Sequence, residues 1–131
     1  MKARDTQRIA DLHEIDVAVQ FYANDNRGAY PPCGVWIYST DSSWTCLVNA
    51  LAPYLKVPVD PINNLAGPWA TGDYSFAYGI SPNGQDYDLI GQLEDTTNPD
   101  RCQVKNWFFH YYGPYSWCNY YSYSPYLFED H

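Results

Sequence analysis

The residues best equipped for chemistry in this 131-residue chain are three histidines, four cysteines and one short acidic loop. His13 falls on the polar side of a helical segment, His110 in a strand-like run and His131 at the C-terminus, so their spacing assembles no metal triad. Each reads as a surface or packed histidine. A nucleophile elbow, a zinc-protease helix, a phosphate-binding loop and a dinucleotide fingerprint each need a fixed pattern of Gly, Ser, Lys or His, and none of those patterns occurs. No enzymatic chemistry is expected. The loop "EDTTNPD" is the sharper case, because Glu94, Asp95, Asn98 and Asp100 offer the hard oxygen ligands that calcium prefers. A solvated acidic loop is the plainer reading and a calcium site the alternative. Asp86 and Asp88 alternate with Tyr87, which puts both carboxylates on one strand face, expected to be a charged solvent edge that discourages further pairing.

Cys33, Cys46, Cys102 and Cys118 contain no CxxC pair and have no histidine at zinc-site spacing, which favours disulfides over metal. Three pairings are open. The two-and-two clustering favours local bridges, Cys33 to Cys46 and Cys102 to Cys118, each closing a loop. Disulfides form in oxidising compartments, so the protein is expected outside the cytoplasm. Residues 1 to 25 nevertheless contain neither an apolar signal core nor a membrane-length apolar run.

With 15 acidic against 7 basic residues the formal charge is -8, the wrong sign for a nucleic-acid partner, whose affinity depends on clustered Lys and Arg. The length is that of one domain with a modest core. Tyrosine is abundant and lysine scarce (Lys2, Lys56, Lys105), a balance that suits a secreted module with an aromatic surface. One functional reading is therefore an adhesive or carbohydrate-binding module whose Tyr and Trp rings stack on sugars. Against it, Trp107, Phe109 and Tyr111 alternate with Phe108, His110 and Tyr112 as a core-facing strand should, so packing accounts for many of the rings. Which rings are exposed decides between the two.

The elements that position these residues begin with "KARDTQRIADLHEIDVAVQFYAN", which lacks Gly and Pro and places Leu12, Ile15, Ala18, Val19 and Tyr22 on one helical face. Ala10, Val17 and Phe21 form a second, narrower stripe almost opposite, which reads either as part of a helix rather fully buried in its own domain or as a face that meets neighbouring subunits. Lys2, Arg4 and Arg8 crowd the helix start, where acidic residues and a capping side chain are favoured. The "NDNRG" at residues 24 to 28 stops the helix, and Pro31-Pro32 prevents its resumption. Asp41, Ser42 and Ser43 offer N-cap oxygens to a second helix running to about Leu55. Residues 73 to 80 and 86 to 94 alternate apolar and polar around Pro82-Asn83-Gly84, the strongest hairpin signal in the chain. A third strand, "VKNWFFHYY", follows, and the Tyr-rich tail "CNYYSYSPYLF" offers a fourth, interrupted at Pro125. The expected fold class is α+β: a long helix across an antiparallel sheet of three or four strands. It divides into a helix (1–26), a helix-to-sheet loop (27–72), the sheet (73–112) and an aromatic C-terminal segment (113–131).

The order of these pieces resembles the head domains of type IV pilins and type II secretion pseudopilins, over most of residues 8 to 95. The family's "Y…DNG.YP" after the helix is matched by Tyr22, Asp25, Asn26, Gly28, Tyr30 and Pro31, with Arg27 inserted before the glycine. Its "DP" after the second helix is matched by Asp60-Pro61, and its aromatic strand pair by Tyr74, Phe76, Tyr78, Tyr87 and Leu89. The resemblance implies a filament subunit whose partners are other copies of itself. It also implies that Met1 opens a shortened form of a longer chain, whose upstream apolar half-helix sits in the inner membrane before assembly and in the filament core afterwards. The expected location is an extracellular filament or the periplasm. Major pseudopilins carry a calcium loop after this hairpin, which is what the resemblance adds to the reading of "EDTTNPD". The longer, cysteine-bounded C-terminal segment is closer to pilins whose final disulfide encloses a variable loop.

Overall fold

A helix with no Gly or Pro in its interior, α1 (Lys2–Asp25), leads the fold of this computed structural model. The structure describes residues 2–65, 67–68, 72–80, 84, 87–95 and 97, together with the backbone of 108–112. Leu12, Ile15, Ala18, Val19 and Ala23 recur at three- and four-residue spacing and are all buried. The helix stops where two successive residues turn left-handed, Arg27 at φ 59° and Gly28 at φ 85°. Gly28 then donates its backbone N–H to the Ala23 carbonyl at 2.7 Å, satisfying one of the helix's orphan acceptors. The inserted Arg27 thus occupies a backbone conformation that glycine or asparagine usually takes.

Downstream come β1 (Ile37–Tyr38), α2 (Trp44–Leu51), β2 (Ala77–Ile80), β3 (Tyr87–Gln92) and β4 (Phe108–Tyr112). The four strands form one antiparallel meander in chain order, and α1 lies against β3, β4 and α2. This is the α+β architecture expected from the sequence, with one strand among the described residues that the sequence did not show. It is the two-residue β1, too short to show a periodicity; the tail "CNYYSYSPYLF" lies outside the described residues.

α2 ends at Leu51 rather than near Leu55, because Pro53 has no N–H to donate to the preceding turn, although Ala52 itself keeps a helical conformation. A tight turn follows, in which Tyr54 and Leu55 both donate to the Leu51 carbonyl at 2.9 Å. The cap also differs from expectation. Ser43 is itself helical in conformation and makes no side-chain cap bond, while Asp41 Oδ1 accepts the Ser43 N–H at 2.8 Å. Cys33 and Cys46 form a disulfide that ties the segment after α1 to α2, with 5.8 Å between Cα atoms. Cys102 and Cys118 lie outside the described residues.

The core sits between α1 and one face of the sheet, where Phe76, Tyr78, Ile80, Tyr87, Leu89 and Leu93 meet Leu12, Ile15 and Val19. Gly91 marks the closest approach: a Cβ there would lie 3.1 Å from Leu12 Cδ1 and 3.3 Å from Phe76 Cδ1. The expectation that Asp88 faces solvent is wrong. Every residue of β2 and β3 is buried, and Asp88 shares its buried face with Ala77, Ile90 and Gln92. Alternation reported the polarity of the two faces correctly but not their access to water. On this second face Gln92 Oε1 accepts the Gly72 N–H at 2.8 Å. Asp86 lies outside the described residues.

Candidate functional site

Two features of α1 stand out, and they occupy opposite sides of the helix. Its outward side carries Ala10, Val17 and Phe21, all exposed, with Val17 at 39% and Phe21 at 55% of full exposure. Phe21 stacks on Tyr54, which follows α2, at 6.1 Å between ring centroids and an interplanar angle of 23°. The Tyr54 hydroxyl donates to the Asp25 carboxylate, and this hydrogen bond raises the phenol's pKa. The result is an aromatic and branched-aliphatic patch held in place from two elements. Among the described aromatic side chains Phe21 alone is exposed; the others are buried or half-buried, and the rings of the C-terminal segment lie outside the described residues.

The inward side, toward the start of α1, carries a charge cluster that sequence reasoning missed. Arg8 has no exposed surface. Its Nε and Nη2 donate to the two Asp60 oxygens at 2.7 and 3.1 Å, and its Nη1 donates to Asp5 at 2.9 Å and to Glu94 at 2.6 Å. Glu94 also receives a bidentate pair from Arg4, at 2.5 and 2.6 Å. Asp5 in turn accepts the backbone N–H groups of Glu94 and Asp95, both at 2.9 Å. Asp60 accepts those of Ile62 and Asn63 at 2.8 and 3.2 Å. The Tyr74 ring closes one side, 4.8 Å from the guanidinium carbon. Burial by itself lowers the Arg8 pKa, but hydrogen bonds to Asp60 and Glu94 outweigh it, so the net shift is upward. For Glu94 the hydrogen bond from Arg4 is the largest cause, and the carboxyl is held down at about 2.

This cluster joins the first turns of α1, the loop after α2 and the end of β3. A signal for it existed. Arg8 lies four residues before Leu12 and seven before Ile15, on the buried face, where a cation needs carboxylate partners. What no local pattern could supply was that Asp60 and Glu94, distant in sequence, meet it there.

Of the calcium-loop residues, Glu94 pairs with two guanidiniums and Asp95 Oδ1 accepts from the Thr97 backbone at 3.0 Å and its hydroxyl at 2.6 Å. Asn98 and Asp100 lie outside the described residues. Among the described residues no group of three or more His, Cys, Asp or Glu side chains is placed to hold a metal ion. His13 is exposed on α1, His110 lies in β4, and His131 is outside the described residues. No helix among the described residues is long and apolar enough to cross a membrane. Compared with protein-family models, curated proteins and solved structures, the chain finds no match.

Proposed function

We propose that this chain is the head of a pilin-like filament subunit, whose work is assembly and display rather than catalysis. The observation that carries this reading is the division of α1. One face is sealed onto the sheet by Leu12, Ile15, Ala18 and Val19, while the other presents Ala10, Val17 and Phe21 to the outside. A helix serving only its own domain gains little from an exposed Phe beyond its stacking on Tyr54, whereas a helix shared with neighbours buries it on assembly, at about 1.5–3 kcal/mol per large apolar side chain. The partners on this reading are further copies of the chain. On the same reading an apolar helical segment holds the subunit in the inner membrane before assembly. The Cys33–Cys46 disulfide supports a location beyond the cytoplasm.

The test is to raise an antibody against the folded domain and label the surface of cells that make the native protein. Gold particles arranged along filaments are the expected result. Label confined to a diffuse, monomeric secreted species would overturn the reading.

A further inference from the structure

Segment 56–65 is tied to the body of the fold through polar side chains: the buried Asp60 binds Arg8, the half-buried Asn63 donates its amide to the Ser39 carbonyl at 3.0 Å, and Oδ1 of the exposed Asn64 accepts the Tyr74 N–H at 2.8 Å. Of its aliphatic residues Val57 is buried in the core, whereas Val59, Ile62 and Leu65 are exposed. A loop anchored through its polar side chains presents those aliphatic groups in a fixed arrangement, so little ordering entropy remains to be lost when they are covered.

The two apolar patches differ in charge as well as in shape. Beside the aliphatic loop, Lys56 is exposed and has no ion-pair partner among the described residues. Beside Val17 on α1, Glu14 is exposed and likewise unpaired among them. On a chain of net charge -8, copies repel one another wherever a cation does not meet an acid, so this pairing selects the orientation in which two copies approach.

Building on the filament reading, we propose that these two patches dock on each other between successive copies: Val59, Ile62 and Leu65 of one against Val17 and Phe21 of the next, with Lys56 facing Glu14. In a filament that contact is heterologous, each copy giving one patch to the copy before it and the other to the copy after. It repeats head to tail and leaves a free patch at each end, instead of closing into a two-fold dimer.

The experiment co-expresses two full-length copies in the native cell, one with Ile62→Cys and the other with Val17→Cys, which leaves the Phe21 ring in place, and treats the cells with a short bifunctional maleimide. Copies lacking both added cysteines give the background. The expected product is a cross-linked dimer only when both variants are present. Lys56→Glu on the first copy lowers its yield several-fold, and Glu14→Lys on the second restores it. Filaments without the mixed cross-link, or Val17→Cys copies joining only to each other, would overturn this contact and leave the filament reading standing. Native copies that neither assemble nor cross-link would remove the filament reading and this contact together.

Discussion

A guanidinium with no exposed surface needs its charge answered on every side, and Arg8 receives that from Asp5, Asp60 and Glu94. Replacing it with Met keeps most of the volume but leaves carboxylates of three segments facing one another. Arg8→Met is therefore expected to cost about 3–5 kcal/mol, measured by urea denaturation at neutral pH. Arg8→Lys should not recover that loss, since one ammonium cannot match the planar fork that spans both Asp60 oxygens. The same cluster makes stability depend on pH. The Glu94 carboxyl titrates at about 2 in the folded protein against an ordinary 4.5, so the folded state gives up this proton more readily than the unfolded chain. Its contribution is complete above about pH 4.5 and is lost as pH falls toward 2. Denaturation midpoints should fall more steeply across that window for the native chain than for Glu94→Gln; parallel curves would mean that other carboxylates carry the dependence. Arg8, Asp60 and Glu94 were each visible in the sequence, two of them in other roles, but their meeting is a property of the fold.

α1 was the most legible element, because its three- and four-residue spacing depends only on local geometry and its stop signal is chemical. Val19 is fully buried against the sheet, so Val19→Asp places an unpaired carboxylate in the core and should unfold the domain or nearly so in a thermal melt. Phe21→Ser removes an exposed ring and one stacking contact, and should cost about 1 kcal/mol or less. The reverse order would mean that the two faces are wrongly assigned. At the crossing of α1 over β3, Gly91→Val must displace Leu12 or Phe76 and should destabilise by about 1–3 kcal/mol, measured in the same way. The hairpin was legible as a pair of strands but not in its exposure. Alternation of Tyr87, Leu89 and Gly91 with Asp88, Ile90 and Gln92 distinguishes two faces, and only tertiary structure decides whether the second is dry. β1 was invisible because two residues carry no period. The end of α2 could have been read from Pro53.

In the whole molecule, one helix is fixed at three levels. Arg8 holds its early turns to the loop and to the end of β3, the Leu12 to Val19 face seals it to the sheet, and Asp25 and Phe21 meet Tyr54 near its end. What this rigid body leaves uncovered on the helix is the Val17 and Phe21 patch, so assembly through that patch is the central claim. Electron microscopy of cells producing the full-length protein, native or Phe21→Ser, tests it most directly, with a thermal melt of each isolated domain to establish that both are folded. The account predicts filaments from the native protein and their loss or sharp reduction with Phe21→Ser, although that domain melts almost as the native one does. Filaments as abundant with folded Phe21→Ser as with the native chain would contradict it.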